Sequence, residues 1–155
     1  MKRLICILLI LLVFSGCTRI GEKFSLNRES LSTSFHSKIS GNEYKGSFSF
    51  DENNNMFITI TYPDEISGFS MYLCGDNITC SMKNVENTYK LSDFPDDFAL
   101  IDFYKALRKA VTDGVFVKNS DSAYEMTCED VTIVADEQGN ITSASVKNGY
   151  FIFGR

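Results

Sequence analysis

The sequence predicts an α+β domain in which a curved antiparallel sheet, an open half-barrel, holds one main helix on its concave face. Three observations predict this fold. Apolar and polar residues alternate in short segments along most of the chain, as they do in half-buried strands. One longer segment repeats its apolar residues at helical spacing. A single helix cannot cover both faces of a sheet of about seven to nine strands, so the sheet is expected to curl around it.

Short alternating segments are predicted as strands. In residues 56–62, Met56, Ile58, Ile60 and Tyr62 share one face. Turn-forming residues separate many of the segments, and Asn148-Gly149 is the strongest short hairpin signal in the chain. The predicted strands span residues 44–50, 56–62, 68–74, 77–83, 87–91, 124–128, 131–135, 141–146 and 150–153.

One helix is predicted over residues 95–113. Pro95 suits a first helical turn, and the acidic residues around it suit the positive end of a helix. Gly114 is expected to cap the C-terminal end. Within this helix, apolar residues recur at steps of three and four and form one stripe: Leu100, Phe103, Leu107 and Ala110 or Val111. The stripe is interpreted as packing on the sheet rather than as a partner-binding surface.

The first residues have the composition of a secretory signal. Met1-Lys2-Arg3 is a positive start, an apolar run follows from Leu4 to Phe14, and Ser15 and Gly16 are small. A helix that spans a bilayer needs about 20 apolar residues, so a permanent transmembrane anchor is the weaker alternative. Residues 1–16 are therefore predicted to be a cleaved signal peptide.

The end of the apolar run, Val13-Phe14-Ser15-Gly16-Cys17, resembles the lipobox of bacterial lipoproteins. That family usually has Leu where this chain has Phe14, and its cysteine carries a diacylglyceryl group. The resemblance implies lipidation of Cys17 and a lipidated tether over residues 17–32. It also implies attachment to the extracytoplasmic face of the cell membrane, since two acyl chains suffice for stable anchoring. The alternative is an ordinary signal peptide with a coincidental cysteine.

The charge of the chain argues against nucleic acid as a partner. The full chain carries a formal net charge of −5 at pH 7. Removing residues 1–16 removes two basic residues and no acid, which leaves 13 basic against 20 acidic residues and a net charge near −7. Binding to phosphates requires a basic cluster, and this chain has none. The same lack of a basic cluster argues against electrostatic binding to anionic lipid headgroups, so the lipid on Cys17 would have to attach the protein to the membrane. The sequence makes no prediction about the oligomeric state.

The cysteines that would be left after export and lipidation are Cys74, Cys80 and Cys128. They lack the short ligand spacing of metal sites, so we expect small buried side chains rather than a metal centre. Cys74 and Cys80 flank a turn, and whether they form a disulfide is left open by the sequence.

No catalytic set is recognisable. His36 is the single histidine, and no motif pairs a nucleophile with a base. Asp51 begins a superficial calcium-loop pattern, but Met56 and Tyr62 stand where such a loop needs Gly and Glu. The sequence therefore predicts a protein that is not an enzyme and binds no cofactor and no metal.

Aromatic residues are the remaining functional signal. The chain has 13 Phe, 7 Tyr and no Trp. Most would pack in the core, but some could line an apolar concavity. The candidate ligand-binding residues are Phe57, Phe69, Phe151 and Phe153.

Three short motifs carry a resemblance in fold. They are the G-x-F-x-F strand at residues 46–50, the pair Tyr62-Pro63, and Ile66-Ser67-Gly68-Phe69 before the next strand. In an exported lipoprotein, this pattern is similar to the LolA-like lipoprotein-carrier superfamily, over residues 38–155. The resemblance implies a curved, incomplete β-barrel with helices over its mouth, which in some members holds a lipid acyl chain. No functional residue transfers by motif.

Two functions are therefore predicted for residues 33–155, taken as a single β-rich domain of LolA-like fold. In the first, the anchored domain binds or carries a lipid or another apolar small molecule in the hollow of the sheet. In the second, the core is filled by the protein's own side chains, and the lipoprotein has a non-catalytic structural or protein-interaction role in the cell envelope.

Overall fold

The structure is a computed structural model that describes residues 22–27, 31–95, 98–119 and 122–154. The predicted signal peptide, residues 1–16, and the predicted lipidation site Cys17 lie outside the described residues. Export and lipidation therefore stay predictions.

The described residues form twelve strands and one α-helix. The helix, α1, spans Ala99–Asp113, and short 3-10 turns span Asp64–Ile66 and Leu91–Asp93. The strands are β1 (Glu22–Lys23), β2 (Ser32–Ile39), β3 (Asn42–Phe50), β4 (Met56–Tyr62), β5 (Ser70–Cys74), β6 (Asn77–Met82), β7 (Val85–Lys90), β8 (Val115–Lys118), β9 (Tyr124–Cys128), β10 (Val131–Ala135), β11 (Ile141–Val146) and β12 (Gly149–Phe153).

All twelve strands belong to one antiparallel sheet in the order β1-β8-β9-β10-β11-β12-β2-β3-β4-β5-β6-β7. Two meanders, β2 to β7 and β8 to β12, are joined where β12 pairs with β2, and α1 connects them along the chain. Among the described residues β1 and β7 are the two edges and do not pair with each other, so the sheet is open. The predicted fold, a large curved and unclosed antiparallel sheet with one helix, is confirmed at this level.

The helix covers the inner face of the sheet. Its buried side chains pack on β9, β10 and β11, and Phe103 also reaches β3 and β12. The Phe103 ring lies 5.2 Å from that of Phe151, 5.6 Å from Phe153 and 6.0 Å from Phe48, measured between centroids. Within the described residues no helix is long and apolar enough to cross a membrane.

The helix begins later than predicted. It starts at Ala99 rather than Pro95, because Phe98 still has extended backbone angles (φ −76°, ψ 103°). The prediction that the apolar stripe is buried is confirmed for Phe103, Leu107 and Ala110, whereas Leu100 is only half-buried. Gly114 caps the end in the left-handed conformation (φ 58°) and donates its N–H to the carbonyl of Ala110, as predicted.

Part of the predicted tether lies against the domain. β1 pairs with β8, and the Phe24 N–H donates to the Gly114 carbonyl over 2.8 Å. The Phe24 ring stacks on Tyr124 with centroids 3.8 Å apart, and Leu26 is buried. These contacts explain why β8, which the sequence did not predict as a strand, is ordered as one. The sheet therefore has more strands than predicted.

Candidate ligand-binding cavity

A cavity of about 340 Å³ lies between the start of α1 and the inner face of the sheet. We call it the helix-end cavity. It is built from β2, β3, β4, β5 and β12, two hairpin turns and the first turn of α1. Its lining residues are Phe35, Ser37, Ile39, Ser40, Asn42, Tyr44, Ile60, Ile66, Phe69, Met71, Phe98, Ala99, Leu100, Asn148 and Phe151.

The floor of the cavity follows from strand alternation. Phe35, Ser37 and Ile39 are spaced two residues apart on β2, so they face the same side of the sheet. Phe151 on β12 and Tyr44 on β3 are the cross-strand neighbours of Ser37. Phe35, Ser37 and Phe151 are buried, while Ile39 and Tyr44 are half-buried. The buried residues of the floor are therefore apolar except for Ser37, and the half-buried Tyr44 carries a second hydroxyl.

The Ser37 hydroxyl is the one polar side-chain group among the buried residues of this floor. The residue is 0% exposed, and it is the only polar residue among the buried ones in the described part of the chain. Its Oγ has no hydrogen-bond partner there. A buried hydroxyl without a partner costs about 1–3 kcal/mol. The site thus contains one unsatisfied polar atom within an apolar wall.

The mouth of the cavity is formed by two adjacent turns. Ser40 lies in the β2–β3 turn, Asn42 begins β3 directly after it, Asn148 lies in the β11–β12 turn, and all three are exposed. The Ser40 N–H donates to the Asn148 carbonyl over 2.8 Å, which ties the turns together. Gly41 follows with φ 86°, a conformation that glycine adopts without strain. The polar rim thus leads directly to the apolar interior.

The roof comes from α1 and from the loop before β5. Phe98 and Leu100 are half-buried, and Ala99 is buried with only a small side chain. On the other side, the Phe69 N–H donates to the Ile66 carbonyl over 3.0 Å, which holds both side chains at the mouth. The apolar residues of the roof are therefore partly accessible to solvent.

The cavity lacks charge. Its described lining contains no Asp, Glu, Lys, Arg, His or Cys. Such a site can enclose apolar matter and offer a few hydrogen bonds, but it provides no counter-charge for an ionised group inside.

Two of the four predicted aromatic candidates line the cavity, namely Phe69 and Phe151. Phe153 is buried beside Phe103 in the filled part of the core. Phe57 is 44% exposed on the outer face, paired with Tyr72, so the suggestion that it lines the concavity is wrong. It lies on the outer face because Met56 and Ile58, its neighbours along the strand, face inward.

The other predicted candidates lie away from the cavity. Cys80 packs against the core and pairs with Met71, which faces inward. Cys74 is exposed on the outer face of β5. These two thiols therefore lie on opposite faces of the sheet. Burial raises the pKa of the Cys80 thiol, which disfavours the thiolate that binds metals. Cys128 is also free. His36 Nε2 lies 3.8 Å from a carboxylate oxygen of Glu43.

The structure explains the calcium-like pattern differently. The Asp51 carboxylate accepts hydrogen bonds from the backbone N–H groups of Asn53 and Asn55 and from the Asn55 amide. It therefore closes the β3–β4 turn. Among the described residues, no group of three or more His, Cys, Asp or Glu side chains converges as a metal site.

No protein-family model matches the chain, and no curated protein matches it. Among solved structures, a crystal structure of a LolA superfamily protein from Nitrosomonas europaea matches with a TM-score of 0.37 and 10% identity. The match covers 80% of this chain and 82% of that protein.

Proposed function

We propose that this protein is a membrane-anchored extracytoplasmic lipoprotein that binds an apolar ligand, such as the acyl chain of a lipid, in the helix-end cavity. The observation that carries the proposal is the cavity itself. It is a partly open pocket with apolar walls, and its volume of about 340 Å³ falls within the ~300–1,000 Å³ range of ligand pockets.

The arrangement of the lining supports an apolar ligand rather than trapped solvent. An ordered water needs about two to four polar partners, and the buried floor offers one, the Ser37 hydroxyl. The polar groups of Ser40, Asn42 and Asn148 lie at the exposed rim instead. An amphiphile could therefore bury its chain and leave further polar atoms near solvent.

The same lining supports a binding protein rather than an enzyme. Catalysis of hydrolysis or acyl transfer by Ser37 would need a base within hydrogen-bond reach, and its Oγ has no partner in the described residues. None of the lining side chains is a carboxylate, imidazole, amine or thiol. We therefore propose that the cavity holds its ligand without changing it.

The anchor is supported by the sequence from Met1 to Cys17. Four residues separate Cys17 from Glu22, the start of β1, so the Cα atom of Cys17 would lie at most about 17 Å from that of Glu22. Phe24, the residue after β1, donates its N–H to the carbonyl of Gly114 at the C-terminal end of α1, whereas the cavity lies at the N-terminal end. A helix of 15 residues is about 22 Å long, so the cavity and the anchor lie at opposite ends of α1.

Lipidation is tested by labelling. The full chain is expressed in a bacterium supplied with radiolabelled palmitate, beside Cys17→Ser and the control Cys74→Ser, which alters an exposed thiol. Label should enter the wild type and Cys74→Ser but be absent from Cys17→Ser. Label that survives in Cys17→Ser would reject the anchor.

Ligand binding is tested by titrating residues 18–155, which include every described strand and the whole core cluster, with a fluorescent fatty-acid methyl ester, which carries no charge. We expect saturable binding that weakens in Phe69→Ala, at the mouth of the cavity. The matched control is Phe57→Ala on the outer face, which should bind as the wild type does. Absence of saturable binding would reject the proposal and favour the alternative of an interaction protein in the cell envelope.

A further inference from the structure

Strand β7 forms an open edge of the sheet. Among the described residues no strand lies beyond it, and all six of its residues are exposed. It pairs with β6 in one unbroken register and contains no proline. Proline, a bulge or a covering segment commonly protects such an edge, because an unprotected edge pairs readily with a further strand. The middle of β7 has none of these protections in the described part of the chain.

The ladder between β6 and β7 shows which backbone groups face outward. The Leu91 N–H donates to the Asp76 carbonyl over 2.9 Å, and these two residues continue the register of the strands. Along an antiparallel strand, successive residues direct their N–H and C=O groups to opposite sides. The backbone groups of Glu86, Thr88 and Lys90 therefore point away from β6.

Asp93 closes one end of this edge. The Lys90 N–H donates to the Asp93 carboxylate over 2.8 Å, so a further strand would meet the backbone of Glu86 and Thr88. Asn87 is the midpoint of these two residues. Two antiparallel copies of β7, related by a two-fold axis at Asn87, would exchange hydrogen bonds between each Glu86 and the Thr88 of the other copy. The free edge is thus complementary to itself.

The side chains on the inner face agree with this register. Val85 is 63% exposed and Tyr89 is 43% exposed. Tyr89 lies opposite the buried Ile78, and its ring meets that of Phe94 with centroids 5.9 Å apart, which positions it at the edge. The two-fold axis would place Val85 of each copy opposite Tyr89 of the other. Aromatic and β-branched residues stabilise a sheet when they pair across strands.

The charge of the edge also suits a second copy. The chain has a net charge of −5, but β7 carries one acid, Glu86, and one base, Lys90. On the outer face, each Glu86 would have both Lys90 and Glu86 of the other copy as diagonal neighbours. Attraction and repulsion therefore balance at β7, and two acidic chains can approach each other there.

We propose that two copies of this protein pair through β7, antiparallel and about a two-fold axis at Asn87, so that their sheets become continuous. One pair of strands is a small interface, so the dimer should form reversibly and depend on concentration. The pairing is independent of ligand binding, because no residue of β7 lines the helix-end cavity.

The first test measures the dimer dissociation constant of residues 18–155 by sedimentation equilibrium. Glu86→Pro removes an outward N–H, a change that edge strands tolerate, and should raise the constant at least about tenfold. Glu86→Ala keeps the N–H and should dimerise as the wild type does. The melting midpoint shows that each variant is folded.

A second pair of variants tests the apolar contact without altering the backbone. Val85→Glu should also raise the dissociation constant at least about tenfold, because it places a charge opposite Tyr89 of the other copy. Val115→Glu is the matched control, since Val115 is a 52% exposed valine on β8, away from this edge. It should leave the constant unchanged.

The register is tested by disulfide cross-linking with Cys74, Cys80 and Cys128 replaced by serine. This background is needed because Cys80 lies opposite Asn87 within the chain. In the proposed register the two Asn87 Cα atoms lie about 4.5 Å apart, within disulfide reach, so Asn87→Cys should form a covalent dimer on mild oxidation. Thr88→Cys should not, since the two Thr88 residues are diagonal neighbours more than about 7 Å apart.

Three results would overturn the proposal. A wild type that stays monomeric at millimolar concentration would show that β7 does not bind a second copy. A dimer that withstands both Glu86→Pro and Val85→Glu would form through another surface. Cross-linking through Thr88→Cys instead of Asn87→Cys would reject the axis at Asn87.

Discussion

The first turn of α1 and the rest of the helix cover the same sheet in different ways, and we call them the open half and the filled half. The filled half begins one turn after Ala99, where the Phe103 ring packs among three phenylalanine rings from β3 and β12. In the open half, the small residues Ala99 on the helix and Ser37 on the sheet both line the helix-end cavity. Phe151 belongs to both regions, because it packs on Phe103 and also lines the cavity.

This difference shows how one inward-facing pattern can produce both a core and a binding site. Every second residue of β2 and β12 faces inward in both regions. The size of the side chain at each inward position decides whether the space is filled. The filled half should therefore respond to substitutions as a packed core does, and the open half should tolerate added volume but lose ligand binding.

The largest expected effect is in the filled half. Phe103→Ala should lower the free energy of unfolding by about 3–5 kcal/mol, because a buried phenylalanine is replaced by a void. Phe69→Ala, half-buried at the mouth of the cavity, should cost much less. Urea denaturation followed by circular dichroism measures both. Equal losses would contradict the distinction between the two halves.

The second-largest expected effect comes from enlarging a side chain, which should lower the free energy of unfolding in the filled half but not in the open half. Ala144 is fully buried on β11 between Ile133 and Phe151, so Ala144→Leu should cost about 1–3 kcal/mol through overpacking. Ala99→Leu places the same volume at the cavity and should not lower the free energy of unfolding. It should, however, weaken binding of the fluorescent fatty-acid methyl ester. If Ala99→Leu destabilises the protein as much as Ala144→Leu does, the cavity is not available space.

The smallest expected effect is on pH dependence. Partial desolvation alone would raise the pKa of Asp51, but hydrogen bonds from Asn55 and Asn53 outweigh it and the net pKa is lowered. Asp51 therefore stabilises the fold above its unfolded pKa of about 3.9, and this contribution is lost as the pH falls through the lower folded pKa.

Titration of the thermal midpoint below about pH 4 should show this loss in the wild type and a shallower dependence in Asp51→Asn. Binding of a neutral ligand should not change between about pH 5 and 8, because the described residues of the cavity lining include no carboxylate, imidazole, amine or thiol. A marked change in affinity over that range would show that an ionisable group reaches the ligand.

Much of the sheet was predictable because alternation is a local signal. The strands at residues 56–62, 124–128, 131–135 and 141–146 have the bounds that the sequence predicts. β8 was missed because it is short and is stabilised by β1, a segment distant in sequence that resembles a polar tether. The placement of Phe57 was predictable, since Met56 and Ile58 had already been assigned to the other face.

The cavity was less predictable, because it depends on residues that meet only in the folded protein. Ser37 lies in a polar segment and resembles a solvent-exposed serine. Its spacing from Phe35 and Ile39 is the one local signal that it faces inward. That Ala99 lines the same cavity depends on where the helix begins, and the sequence placed that start four residues too early.

Ligand binding at the open half of α1 is tested most directly by native mass spectrometry of residues 18–155, purified from bacteria without detergent. We expect the wild type to carry an added mass equal to an acyl lipid, and Ala99→Leu to carry less of it. We also expect Ala144→Leu, where it folds, to carry it as the wild type does. A bare protein mass in all three, with no complex formed on addition of fatty acid or its methyl ester, would contradict the proposed function.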